Sequence, residues 1–339
     1  MKSERPNDLA RALHDFFSDH LPRLRGMSPH TVLSYRDSLR LLLCFVASSR
    51  EVSVSDLDVE HIGAPEVIAF LGHLEQVRDN TAATRNIRLA AIHAFFRFLS
   101  ARDPGRLEQC QRILGVPFKR AHTRPIAYLE YDEIKAVLDA VDRAAPDGQR
   151  DYALLATMFN TGARVQEVLD LRVADLQLQK PFQARLVGKG RKERICPLWP
   201  QTARVLREWL EHRHIDLRST ERLFLNHRRE PLTRFGVRYI LAKYCALAQP
   251  AAAGLIGKRL HPHSMRHTTA VHLLKAGVDL STISQWLGHT SVTTTNRYAT
   301  VDLDMKRKAI AKATPLAASP STASTWRTKA SILKWLEAL

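Results

Sequence analysis

Seven residues in four separated segments of this 339-residue sequence have types and spacings suited to attack on a phosphodiester. In Thr161-Gly162-Ala163-Arg164-Val165-Gln166-Glu167 the glycine marks a turn into a helix, and Arg164 and Glu167, three apart, share a helical face. In Pro262-His263-Ser264-Met265-Arg266-His267 a proline opens a helix that ends near Gly277, and His263 and Arg266 repeat the three-residue offset. Lys189 sits in a Gly-rich turn, among Arg185, Arg191, Lys192 and Arg194. Trp286-Leu287-Gly288-His289 ends a helix at a glycine, and Tyr298 follows His289 by nine residues.

The charge of a phosphodiester explains why two arginines are useful. The anion repels a nucleophile and gains negative charge in the five-coordinate transition state, so guanidiniums already in place lower the barrier. A tyrosine hydroxyl, with a pKa of about 10, must lose its proton to a base or be stabilised by those cations. The departing oxygen needs a proton, which a lysine can donate. A covalent link to tyrosine keeps the bond energy for religation. No P-loop and no acidic two-metal cluster is present in the sequence, so neither a metal nor another cofactor is expected.

The elements that must hold these residues are mostly helical. Ser28 can cap a helix with Pro29 in its first turn and an apolar stripe of Leu39, Leu42, Leu43 and Val46. A second helix is predicted over Pro65 to Gln76. A third follows Asn80-Thr81, with Ile87, Ala91, Ala94, Phe95 and Phe98 inward while Arg85, Arg88 and Arg97 leave that stripe. Residues 1–103 thus read as a basic N-terminal helical domain, and residues 104–125, rich in Pro, Gly and charge, as a linker. QARLV, the turn GKGR and KERICPL predict a β-hairpin within a second, mainly helical domain over residues 126–312. Residues 313–339 read as a flexible tether and a short apolar helix that must dock on its own or a neighbouring subunit.

The length favours two domains. Lys and Arg number 51 against 34 acidic residues, a formal charge of +17 spread along the chain, which points to a polyanionic partner. No run approaches the roughly 20 apolar residues that span a bilayer, and MKSERPNDLARAL has no secretion-signal core, so double-stranded DNA is favoured over membrane. A cytoplasmic, nucleoid-associated protein is expected. Cys44, Cys110, Cys196 and Cys245 have no paired spacing and read as buried or incidental thiols. Tyr35, Tyr152 and Tyr239 sit in apolar helical patterns and read as core, unlike Tyr298 in its polar stretch.

TGARVQEVLDLR, LVGKGRKERICPL, HPHSMRHTTAVHLLKAG and ISQWLGHTSVTTTNRYA together resemble the tyrosine recombinases, especially the Xer-type and phage integrase branch, in that family's chain order. SPHTVLSY and TRNIRLAAIHAFFRFL look like its core-binding helical domain, so the resemblance covers roughly residues 10 to 312. It implies a mainly α fold with a small β-hairpin or sheet: a SAM-like N-terminal domain, then an α+β catalytic domain, closing as a clamp around a duplex. It implies site-specific cutting and rejoining of DNA through a 3′-phosphotyrosyl intermediate, in integration, transposition or resolution. Four protomers would act on two DNA sites through a Holliday junction. Arg164 and Arg266 would clamp the scissile phosphate, His263 assist proton transfer from the tyrosine and Lys189 act as general acid. His289 would donate a hydrogen bond to phosphate, Glu167 support the site and Tyr298 be the nucleophile. Arg85, Arg88, Arg185, Arg191, Lys192 and Arg194 are the further candidates for DNA contact. The tail after Ala313 departs from the Xer pattern.

Each residue also has an ordinary reading. Arg164 alone is a surface charge with Glu167 as its helical partner, the hairpin basics are a solvated turn, and His289 is a helix-end histidine. His261, His263, His267 and His272 suggest a metal cluster, but no HExxH pattern accompanies them. Two other functions share much of this pattern. An architectural DNA-binding protein would have lost catalytic residues that this chain keeps, and a topoisomerase would nick and reseal one duplex by the same chemistry.

Overall fold

Ser28 and Thr81 begin the two longest helices for the same reason: each side-chain oxygen accepts a backbone N–H three residues on, satisfying one of the donors a helix start leaves open. The computed structural model describes residues 7–121, 126–188, 190, 192–288, 295, 296 and 298. The chain divides into two compact units that meet between residues 124 and 125.

The first unit is helical throughout. Helix α1 (Asp8–Asp15) is capped by Asn7 and runs on as a π-helical segment over Phe16–Leu24. Then come α2 (Pro29–Arg50), α3 (Ala64–Gln76), α4 (Ala82–Arg102) and α5 (Leu107–Leu114). The core gathers Phe16, Leu42, Phe70, Leu74, Phe95 and Phe96, all essentially inaccessible. Burying each contributes about 1.5–3 kcal/mol.

Three expectations for this unit are corrected. Ile87 is 55 % exposed, because α4 turns Leu89, Ile92, Phe96 and Leu99 inward instead. Arg85, expected to leave the apolar stripe, is buried, and its Nη1 donates to Pro117 O at 2.9 Å. Helix α5 forms inside the stretch read as linker, where Cys110 and Ile113, three apart, bury against the bundle.

The second unit opens with α6 (Tyr131–Asp139) and α7 (Gly148–Thr161), which is buried on nearly every side, with Leu154, Leu155 and Met158 at its centre. Helix α8 (Val165–Asp170) leads to a three-stranded antiparallel sheet of β1 (Leu176–Gln177), β2 (Gln183–Val187) and β3 (Glu193–Pro197) in sequence order. The hairpin is the one expected, with β1 added. Helices α9 (Pro200–His212), α10 (Arg234–Ala248), α11 (Pro262–Lys275) and α12 (Leu280–Leu287) complete the unit. Helix α10 buries Val237, Ile240, Leu241 and Tyr244, which sends Tyr239, expected in the core, to the outside with 70 % of its surface exposed. The expected C-terminal tether and helix lie outside the described residues. Among the described residues no helix is long and apolar enough to cross a membrane.

Candidate active site

Gly162 ends α7 at φ +56°, a left-handed conformation that costs glycine little, and a Cβ there would stand 2.6 Å from Leu287 Cδ2. The turn delivers Arg164 to the position just before α8, with Glu167 in that helix's first turn. Glu167 accepts from the Arg164 backbone N–H at 2.9 Å and from Arg164 Nη1 at 2.7 Å. A second guanidinium reaches the same carboxylate from the sheet. Arg194 pairs with Leu186 across the hairpin and shares the inner face with Cys196, so its Nη2 donates to Glu167 Oε2 at 2.7 Å. Burial pushes the Glu167 carboxyl upward, but the bonds from Arg194 and Arg164 outweigh it and hold the group below its ordinary value.

The end of α12 ties the cluster together. A helix C-terminus leaves carbonyls without intrahelical partners and carries partial negative charge. Here Trp286 O accepts from Arg194 Nε at 2.9 Å, Leu287 O from Arg266 Nη2 at 2.7 Å and Gly288 O from Arg164 Nη2 at 3.3 Å. Three consecutive carbonyls thus bind three arginines from three different elements. Gly288, at φ +65°, permits the approach, since a Cβ there would lie 3.1 Å from Arg194 Cδ. Arg266 also donates to Gly162 O at 2.9 Å and is 1 % exposed. Burial and the neighbouring Arg164 pull its pKa down to about 10, which leaves it charged at neutral pH.

Tyr298 is buried among Ala270, Val271, Leu274, Ile283 and Leu287, between α11 and α12. Its hydroxyl lies 2.9 Å from His267 Nδ1, and the two rings are 5.6 Å apart. His263, exposed at the start of α11, stands one helical turn before His267 with ring centroids 5.2 Å apart. Sequence reasoning gave His263 a part in proton transfer and weighed His267 only as one of four histidines in a metal cluster. The i,i+4 spacing of the two was visible, and it stacks both imidazoles on one face.

Arg164, Glu167, Arg266 and Tyr298 are therefore brought into one region, and Arg194 joins them as a scaffold. Lys189, Arg191 and His289 lie outside the described residues. The hairpin turn closes with Gly188 N donating to Lys192 O at 2.8 Å, and a Cβ on Gly188 would sit 3.0 Å from Glu167 Oε1. Of the other basic candidates, Lys192 is exposed, and Arg185 faces outward on β2, paired with Asp175 and Glu193. Arg88 is half-buried and donates to Ser38 Oγ at 3.0 Å. Arg85 and Arg194 spend their guanidiniums on protein groups.

Three guanidiniums against one carboxylate leave this cluster two positive charges in excess, with Arg194, Arg266 and Glu167 largely hidden from water and Arg164 partly open to it. Such an arrangement stabilises negative charge that develops on a phosphoryl group and places a phenol beside an imidazole.

Residues 15–103 match the phage integrase N-terminal SAM-like domain, and residues 127–304 match the phage integrase family. A putative integrase/recombinase of Sinorhizobium fredii is 40 % identical over 92 % of this chain and 94 % of its own. A tyrosine recombinase XerC of Pelobacter propionicus is 34 % identical over 90 % of this chain and 95 % of its own. The fold resembles that of the XerH recombinase in its pre-cleavage complex with difH, with a TM-score of 0.66 at 21 % identity, covering 85 % of this chain and 80 % of that one.

Proposed function

The chain belongs to the phage integrase family of tyrosine recombinases, and from that premise we propose that it cuts and rejoins DNA through a covalent bond to Tyr298. It is a site-specific DNA recombinase; the roles of individual residues are our reading. The observation that carries this reading is the binding of Arg164 and Arg266 to the adjacent carbonyls of Gly288 and Leu287. The same elements that fix these guanidiniums also enclose the phenol.

Arg164 and Arg266 hold the non-bridging oxygens of the scissile phosphate and offset the charge that builds as the tyrosine oxygen attacks. Glu167 keeps Arg164 oriented through two hydrogen bonds. Lys189 protonates the departing 5′ oxygen, His289 donates to the phosphate and His263 assists proton transfer. The DNA is double-stranded, and four protomers act on two sites through a Holliday junction. The protein works in the cytoplasm on the nucleoid, in the movement of a mobile element. The N-terminal unit grips the core of the site, Lys192 contributes phosphate contacts, and the segment after residue 313 docks on its own or a neighbouring protomer.

The test is to express wild type and Tyr298→Phe in a bacterial host, denature the lysate and sequence DNA that stays covalently attached to the protein. Adducts with wild type alone support the nucleophile and reveal its sites. Equal adducts from both proteins remove Tyr298 from the role.

A further inference from the structure

A phenol hydroxyl in an apolar pocket needs a hydrogen-bond partner, and ionising it there is more costly than in water. Tyr298 is 2 % exposed, and the partner described for its hydroxyl is His267 Nδ1 at 2.9 Å. The geometry of α11 explains the contact. Successive residues on a helix diverge by about 100°, so Arg266 turns toward Gly162 O and Leu287 O while His267, the next residue, turns toward Tyr298. The half-buried His267 ring also packs edge-on against His263. One helix thus presents a charge clamp and an imidazole side by side, and the imidazole meets the oxygen that must react.

We propose that His267 is a further catalytic residue, the base that takes the Tyr298 proton during strand cleavage, with His263, whose ring lies 5.2 Å away, assisting that transfer rather than accepting the proton from the hydroxyl itself. This rests on the reading of Tyr298 as nucleophile. The step requires the tautomer with its proton on Nε2, so that the Nδ1 lone pair faces the hydroxyl. The Tyr298 O–H bond breaks and its proton passes to Nδ1, giving an imidazolium. The freed electron pair of the phenolic oxygen forms the new bond to phosphorus as the bond from phosphorus to the 5′ oxygen breaks. That oxygen takes a proton from the general acid, the role assigned above to Lys189. Rejoining reverses each transfer, and the imidazolium returns its proton to the tyrosine. The negative charge gathering on the phosphoryl group offsets the cost of a new cation beside Arg266.

A purely structural role for His267 would be to satisfy the hydroxyl in its pocket, and two variants separate the roles. His267→Asn puts an amide near the place of Nδ1, which keeps a hydrogen bond but accepts no proton. His267→Ala opens a space that a small imidazole can enter. The assay is single-turnover cleavage by the full-length chain on nicked duplexes carrying the sequences recovered with the covalent adducts. General-base loss typically slows a reaction by about 10²-fold or more. Both variants are expected to show that loss with DNA affinity within about two-fold of wild type. Added imidazoles should restore His267→Ala, the more basic ones faster. A His267→Asn variant that cleaves at the wild-type rate overturns the proposal, as does rescue that ignores the basicity of the added imidazole. If Tyr298→Phe still forms adducts, or wild type forms none, the nucleophile reading falls and this inference with it. If Tyr298→Phe is inert while His267→Asn is fully active, only this inference falls.

Discussion

Arg194 Nη2 and Glu167 Oε2 lie 2.7 Å apart, both nearly hidden from solvent, and this ion pair joins the β-hairpin to the turn that carries Arg164. Because Arg194 Nε also holds Trp286 O, the same side chain ties the hairpin to the end of α12. In the sequence Lys189 falls between β2 and β3, and Tyr298 follows α12. One arginine therefore links the three segments from which the proposed acid, clamp and nucleophile come.

Removing that arginine leaves a buried carboxylate with Arg164 as its remaining ion-pair partner. Breaking a buried pair by deleting one partner typically costs about 3–5 kcal/mol, and the surviving Arg164 bond places Arg194→Ala at the low end, about 3 kcal/mol. Thermal unfolding of the full chain should show the catalytic unit melting several degrees lower. Arg194→Lys is expected to recover only part of the loss, since an ammonium cannot span Glu167 and Trp286 O as the planar fork does. An unchanged melting temperature in Arg194→Ala would show that the pair contributes little to stability.

The Glu167 carboxyl makes the cluster sensitive to acid. Its pKa in the folded chain is depressed, so the stability it contributes is fully present above the unfolded value of about 4.3 and is lost as pH falls through the lower folded value. Denaturant midpoints measured from pH 7 down to pH 3 should therefore fall for wild type partly through this residue. Glu167→Gln is expected to be less stable at pH 7, with the gap closing as pH falls. A constant gap across that range would mean that Glu167 carries no pH linkage.

Much of this arrangement was legible because its signals are local. Gly162 before Arg164, proline at the start of α11, Gly288 at the end of α12 and the Gly-rich hairpin turn are each set by the conformations their own residues favour. What was missed depends on packing between distant segments. The carbonyl that receives Arg85 lies 32 residues away, and the His267 to Tyr298 contact spans 31 residues, so no periodicity announces either. Arg194 is an intermediate case: the alternation that buries Cys196 also turns Arg194 inward, yet a run of basic residues reads first as a solvated face. Helix α5 was hidden because two buried residues make too short a stripe to stand out among charges.

Arg266 offers a test of the clamp that is separate from stability. Both of its Nη atoms are committed to backbone carbonyls, and a lysine can reach only one of them. Losing one pre-placed donor to a developing phosphoryl charge costs about 10²–10³ in rate. Arg266→Lys should therefore bind DNA nearly as well as wild type and accumulate covalent adduct about 10²-fold more slowly or worse in a single-turnover time course. Cleavage at the wild-type rate would remove Arg266 from the clamp.

Arg85 and Lys192 are both basic, yet the structure gives them opposite surroundings, and salt dependence separates them. Binding to duplex DNA weakens with salt in proportion to the phosphates contacted, with a slope of about 0.9 in log–log form for each. Lys192 is exposed on the hairpin turn, so Lys192→Ala should reduce the slope by about 0.9 while leaving stability unchanged. Arg85 is buried and donates to Pro117 O, so Arg85→Ala should leave the slope as it was. Its effect should appear in unfolding instead, as a loss of about 1.5–3 kcal/mol for a buried charge-assisted hydrogen bond. Affinities measured from 50 to 300 mM salt, beside denaturant melts of both variants, decide the matter: a smaller salt slope in Arg85→Ala would mean that the helix carrying it reorganises on DNA and turns this guanidinium outward.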